Sequence, residues 1–325
     1  MERRRLGRTG PWVSPIAIGG NVFGHFCGES ETRQILDAAE DLGINLVDTA
    51  DVYSEGRSEE LLGAALEGRR DRWTIASKVG VRSHELPLGK GRRDHIIGSV
   101  EGSLRRLRTD RIDLCQMHHF DPATPIEETL AALDQLVRQG KVRYPGVSNY
   151  SGTQLAAACD VCRSMDLAPL VSIQTHYNLL KREAESGVFP VSQENGVGVA
   201  VYGALGRGVL SGKYRSGAEP PADSRAATSR RVRADLTGPV LETAVALDAF
   251  ARTRGRPLAQ LAIAWVLLRD EVGTVIVGFR DAGQLRDLAP AGAWRPSDAE
   301  LKEIDRIIGD RRRFETLSLG AYSRD

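Results

Sequence analysis

Four side chains could together move a proton and hold a charged oxygen: the Asp48 carboxylate, the Tyr53 phenol, the Lys78 ammonium and the His118 imidazole. Proton transfer at a reacting oxygen needs a donor, an ionic group to tune it and a hydrogen bond to fix the oxygen. Ser148, Asn149 and Gln174 add hydroxyl and amide groups that donate and accept in defined places. Taken singly, Lys78 reads as a surface lysine and His118 as a satisfied core histidine, so the case rests on the set. A Ser/Lys or His/Asp hydrolase could use similar groups, but no G-x-S-x-G elbow occurs. Cys159-Asp-Val-Cys162 is a formal CxxC without a second ligand pair, in a stretch with helical spacing. It reads as two buried thiols, and no metal is expected.

Those residues need elements that aim them at one another. Short apolar, often β-branched runs alternate with stretches of helical spacing, the signature of repeated βα units. Strands are predicted at Pro15–Gly19, Asn45–Thr49, Trp73–Lys78, Ile112–His118, Val142–Val147, Val171–Thr175, Gly198–Tyr202 and Thr274–Val277. Helices are predicted near 31–42, 58–69, 93–107, 126–139, 151–165, 182–195, 239–269 in two pieces broken at Gly255 and Pro257, and 281–288. A further helix is predicted near 298–309, and a long polar loop from Leu205 to about Gly238 follows the seventh strand. Strands each followed by a helix close into a (β/α)8 TIM barrel with right-handed crossovers. An open Rossmann sheet is disfavoured because no G-x-G-x-x-G follows an early strand; Gly206-Arg-Gly208-Val-Leu-Ser211 comes late and lacks the third glycine. In a barrel the chemistry sits at the carboxy ends of the strands, which is where the polar set falls.

Length and charge agree with this. The chain of 325 residues suits one barrel domain over 1–325, with extra loops. Lys plus Arg number 44 against 43 Asp plus Glu, so no net field gathers DNA or an anionic membrane, and a small-molecule partner is expected. The arginine runs Arg3–Arg5, Arg69–Arg72 and Arg311–Arg313 read as solvated faces. MERRRLGRTGPW has no apolar core behind it, and no run reaches the roughly 18 apolar residues of a membrane span, which makes a cytoplasmic location the expectation.

Several motifs, in order along nearly the whole chain, carry a resemblance: Leu6-Gly-Arg-Thr-Gly10, Asp48-Thr-Ala-Asp-Val-Tyr53, Ser77-Lys78, Asp113-Leu-Cys-Gln-Met-His118, Gly146-Val-Ser-Asn149, Gly212-Lys213-Tyr214 and Val277-Gly278. Together they resemble the aldo-keto reductases. The resemblance implies a barrel enzyme that binds NAD(P)H without a Rossmann fold and transfers hydride to an aldehyde or ketone. Tyr53 would then donate the proton, Lys78 would favour the phenolate, Asp48 would keep the ammonium charged, and His118 would hold the carbonyl oxygen. A free tyrosine has a pKa near 10, so roughly three units must be bridged at about 1.4 kcal/mol each. His119, one residue on, is expected to point to the other side of the strand.

By the same resemblance, Ser148, Asn149 and Gln174 hold the nicotinamide carboxamide, Tyr202 stacks on the ring, and Gly20 and Asn21 touch the cofactor from the first loop. Leu205 and Arg207 belong to a segment folded over the pyrophosphate, while Gly278, Arg280, Gln284 and Asp287 face the adenosine half. Arg280 is the residue for the 2′-phosphate, which favours NADP(H) over NAD(H). Two positions depart from the family pattern: Gly203 stands where a serine is frequent, and Leu288 where many relatives carry an asparagine that reads the adenine. Pro145 is unusual inside a parallel barrel.

A cofactor-sensing regulatory subunit on the same fold is the rival from another class. Reduction of a conjugated C=C is disfavoured by His118, since relatives with that activity carry an acidic residue there. His95-Ile-Ile-Gly-Ser-Val-Glu-Gly-Ser-Leu-Arg-Arg-Leu107, with Gln116-Met-His-His119, resembles reductases of nucleotide-activated keto-deoxysugars. The substrate pocket is expected to draw on Asn21–Phe26, Val52, Arg82–Lys90 and Phe120, with Arg82, Lys90, Arg92 and Arg93 available to a phosphorylated substrate.

Overall fold

A computed structural model of the chain describes residues 1–81, 89–215, 217–222, 224–236, 238–314 and 317. It opens with an antiparallel hairpin, β1 (Arg4–Arg5) and β2 (Trp12–Val13), which the sequence did not announce because two-residue strands show no period. Eight parallel strands follow: β3 (Ile16–Gly19), β4 (Leu46–Asp48), β5 (Thr74–Val79), β6 (Ile112–Met117), β7 (Val142–Ser148), β8 (Ser172–His176), β9 (Gly198–Tyr202) and β10 (Val272–Val277). They pair in chain order, and β10 closes on β3 through Val275–Ile16, Ile276–Ala17 and Val277–Ile18, giving the expected closed barrel.

The helices that wrap it are α1 (Glu29–Asp41), α2 (Arg57–Ala65), α3 (Arg93–Leu107), α4 (Ile126–Arg138), α5 (Gly152–Ser164), α6 (Val188–Asn195), the short α7 (Arg225–Thr228) and α8 (Arg230–Asp235), then α9 (Gly238–Arg252), α10 (Leu258–Val266), α11 (Ala282–Leu288) and the extra α12 (Asp298–Ile308). Local chemistry sets several boundaries. Ser151 with Gln154, and Ser297 with Glu300, form capping boxes at the starts of α5 and α12. Such a cap contributes about 1 kcal/mol. Gly255 in the left-handed region and Pro257 at the start of α10 break the long apolar stretch where expected. Two expectations change. The stretch 182–195 is a 3-10 turn, Glu183–Glu185, and then α6, with Gly187 between. The loop after β9 is partly helical, with α7 and α8 packed so that Ala226 and Val232 bury Tyr214.

Strand alternation sorts the barrel residues into two cores. Ile16, Ile18, Val47, Ile75, Val79, Ile173 and Val201 face the helices in one cluster. Ala17, Leu46, Ala76, Leu114 and Val171 form a second cluster inside the barrel, joined there by Leu6 and Val13 of the hairpin. The hairpin is therefore a plug in the amino-terminal mouth. Cys159 and Cys162 are buried on α5, and burial pushes both thiols up to about 11. Pro145 keeps its place in β7 by accepting from Val171 N at 3.0 Å. Among the described residues no helix is long and apolar enough to cross a membrane.

Leu6 is fully buried in the plug, so Leu6→Ala should lower the unfolding free energy by about 2–5 kcal/mol. Urea denaturation measures this, and a loss under about 1 kcal/mol would show that the plug does not seal the barrel.

Candidate active site

The polar set meets at the carboxy-terminal rim. Parallel register puts Asp48 beside Gly19 and Ala76, Lys78 beside Gln116, Ser148 beside Gln174, and His176 beside Tyr202. Lys78 is fully buried, and its ammonium donates to Asp48 Oδ2 at 2.6 Å, to the Thr49 carbonyl at 3.0 Å and to the Tyr53 oxygen at 3.4 Å. Three acceptors match three N–H bonds. Burial lowers the lysine pKa and Asp48 holds it up. Tyr53 sits in a loop stitched to β5 by Thr49 N to Ala76 O and Asp51 N to Lys78 O. Just after it, Ser54 and Glu55 are left-handed, with φ of 49° and 58°, which is strained backbone beside the site.

His118 follows β6 and meets Tyr53 edge-on, with ring centroids 5.9 Å apart. Burial, with Lys78 and His119 nearby, pushes its pKa well below that of free histidine, so the imidazole is neutral at pH 7. His119 departs from the expectation: its ring stacks on His118 at 5.0 Å, because β6 ends at Met117 and strand alternation no longer applies.

The residues expected to hold a carboxamide lie alongside. Gln174 donates from Nε2 to Asp48 Oδ1 at 2.7 Å and to Gln116 Oε1 at 3.1 Å. Gln116 in turn donates to Ser172 Oγ at 3.1 Å. The sequence reading named Gln116 only within a motif and gave it no role, although parallel register sets it beside Lys78. Gly146 makes this bond possible, since a methyl there would lie 2.5 Å from Ser172 Oγ. Asn149, left-handed with φ of 58°, donates to His118 O and Ser148 Oγ and accepts from Tyr202 OH at 2.7 Å. Tyr202 leans on His176 with centroids 5.4 Å apart. Gly203 has φ of 74°, and a side chain there would strike His176 at 2.4 Å, which accounts for the absence of serine.

A second group lies across the rim. Gly278 packs against Asn21 and Val22, and a methyl on Gly20 would meet Asp48 O at 2.9 Å. The Arg280 guanidinium covers the exposed Phe26 ring at 4.5 Å, while its backbone N–H donates to Gln284 Oε1. Asp287 is tied to Gln260 through its carbonyl instead. Leu205 leads into a turn, Gly206–Ser211, in which Arg207 and Gly208 are left-handed. Of the basic residues expected near a substrate, Arg93 is bound to Gln135 and Arg92 lies 3.4 Å from Asp94. Lys90 is half-buried on the loop before α3, and Arg82 lies outside the described residues.

Removing one partner of a buried ion pair strands the other. Asp48→Asn and Lys78→Met should each cost about 3–5 kcal/mol, and the double variant less than their sum. Urea denaturation of the four proteins reads the coupling; strict additivity would mean the pair is not coupled.

Residues 15–309 match the Aldo/keto reductase family. The chain is 36% identical to the aldo-keto reductase YhdN of Bacillus subtilis (strain 168), covering 95% of this chain and 91% of that one. It is 34% identical to an L-glyceraldehyde 3-phosphate reductase of Escherichia coli (strain K12), covering 95% and 93%, and 35% identical to a probable voltage-gated potassium channel subunit beta of Oryza sativa subsp. japonica, covering 88% and 89%. Its structure superposes on a glycerol dehydrogenase from Gluconobacter oxydans with a TM-score of 0.82 at 33% identity, covering 97% and 96%. With its closed barrel and the Asp48, Tyr53, Lys78 and His118 constellation at the rim, the chain belongs to the aldo/keto reductase family, a family of oxidoreductases.

Proposed function

We propose that the protein reduces an aldehyde or ketone to an alcohol using NADP(H), with Tyr53 as proton donor. The observation that carries this is the Lys78 ammonium, fully buried and touching both Asp48 and the Tyr53 oxygen. The residues suit the cofactor. Gln174 spends its Nε2 on Asp48 and Gln116, so its carbonyl oxygen is what it offers an amide ligand. The left-handed turn at Arg207 and Gly208 is a backbone form that gathers N–H groups around anions. Arg280 brings a cation and Phe26 a ring face to the region assigned to the adenosine and its 2′-phosphate.

A nicotinamide cofactor held by Ser148, Asn149 and Gln174 would supply hydride to the carbonyl carbon. Charge then builds on the carbonyl oxygen, and the chain's own residues meet it. Tyr53 gives up its proton there, helped by the ammonium against its oxygen, which favours phenolate. Neutral His118 donates a hydrogen bond to the same oxygen and fixes its position. Asp48 keeps Lys78 charged, and Gln174 keeps Asp48 aimed. The burial of Asp48, Lys78 and His118 keeps water out.

Small polyhydroxylated carbonyls, phosphorylated or sugar-derived, are the proposed substrate class, in line with the glyceraldehyde phosphate reductase and glycerol dehydrogenase among the similar proteins. The likeness to channel beta subunits favours a second reading, in which cofactor binding serves a partner. Decay of NADPH absorbance against a panel of aldehydes, ketones and sugars separates the two.

Tyr53→Phe should lower turnover by about 10²-fold or more while NADPH affinity, read by fluorescence titration, stays nearly intact. An unchanged rate removes the tyrosine from the mechanism. Arg280→Ala should weaken NADPH far more than NADH, since only NADPH carries the extra phosphate; equal losses would assign the 2′-phosphate to another residue.

A further inference from the structure

Asp51 lies between Asp48 and Tyr53 in the loop held to β5, its own N–H donating to Lys78 O at 3.1 Å. Ionisable groups from several elements surround it: Lys78 on β5 with its partner Asp48 on β4, Glu59 on α2, Arg106 on α3 and Cys115 on β6. Two ion pairs are complete. Lys78 is matched by Asp48, and fully buried Glu59 takes Arg106 at 2.7 Å and the Ser77 hydroxyl at 2.6 Å. Asp51 is the odd carboxyl. Among the described residues it forms no salt bridge, and its Oδ1 is closed off from solvent without a hydrogen-bond partner.

Three carboxyls against two cations put one negative charge too many in a cluster where Asp48, Glu59 and Lys78 are buried and Asp51 and Arg106 are partly so. Burial, with Glu59 adding to it, pushes the Asp51 carboxyl up to about 7 against the opposing pull of Arg106, the Val52 N–H and Lys78. Cys115 cannot offset the charge, because burial, Asp51 and Glu59 push its thiol up to about 12 and keep it neutral.

We infer that Asp51 is a positioning residue whose proton sets how much negative charge surrounds Lys78, and through Lys78 how readily Tyr53 gives up its own proton. The inference rests on the proposed role of Tyr53. With Asp51 protonated, the field of the ammonium reaches the phenol undiminished; with Asp51 ionised, part of that field is offset and Tyr53 holds its proton more tightly. The fold feels the same group. A carboxyl raised in the folded state stabilises it fully below the unfolded value near 4, and that contribution is lost as pH rises toward about 7.

Asp51→Asn keeps the shape and removes the titration, with Asp51→Ser as the second variant should the first not fold. Protein labelled with ¹³C at aspartate carboxyls should show a resonance titrating near neutrality that both variants lack. The variants should gain Tm relative to the native protein between pH 5 and pH 8. The alkaline limb of the kcat profile should move down by about half a pH unit or more, with KM for the carbonyl within about twofold. Absence of a carboxyl titrating between pH 6 and pH 8 overturns the proton on Asp51, and a titrating carboxyl with an unmoved alkaline limb overturns its reach to Tyr53. Failure of the underlying reading looks different: Tyr53→Phe keeps its rate while the Asp51 resonance still titrates.

Discussion

A lysine ammonium sealed from water is the constraint around which the upper half of this barrel is arranged. Placing that charge in a low-dielectric interior costs several kcal/mol unless every N–H finds an acceptor. Here Asp48, the Thr49 carbonyl and the Tyr53 oxygen supply them, and Asp48 in turn takes a hydrogen bond from Gln174, which is anchored through Gln116 to Ser172. Such a network is favourable only when it is complete. Completeness is also what makes it useful, because each member is pinned by the next and the phenol oxygen is held beside the cation before any substrate arrives.

The barrel interior changes character along its axis to make this possible. At the amino-terminal mouth small and aliphatic residues meet the hairpin, and one turn of alternation higher the inward positions become Asp48, Lys78, Gln116 and Gln174. The same strands thus bury an apolar plug that stabilises and a polar layer that works. The left-handed Ser54 and Glu55 fit this division, since the tight turn carries the chain from Tyr53 directly into α2 and the surrounding packing holds the strain.

Much of this was legible in the sequence because periodicity and strand-end position are local signals. All eight barrel strands lie within two residues of their expected bounds, and the four residues read as catalytic meet at one rim. What escaped was relational. Gln116 looked like one more polar residue in a strand until its neighbour across β7 proved to be a glycine that admits it. His119 was misread because alternation was carried past the true end of β6. The clash that any side chain at Gly203 would make with His176 arises between the ends of β8 and β9, and no single-strand pattern reveals it. The hairpin was too short to have a period at all.

That hairpin also ties together segments that lie far apart in the sequence. Arg8 N–H donates to Gly196 O, and the Arg4 guanidinium donates to the carbonyls of Leu267 and Val272. The Arg4 guanidinium therefore depends on partners 263 and 268 residues further along the sequence. Until β10 is in place, β3 has no closing neighbour, although Leu6 and Val13 of the hairpin are already close in sequence to Ala17. Contacts of such long sequence separation form slowly. The barrel therefore closes only when β3 meets β10, the two strands of the barrel that stand furthest apart in the sequence.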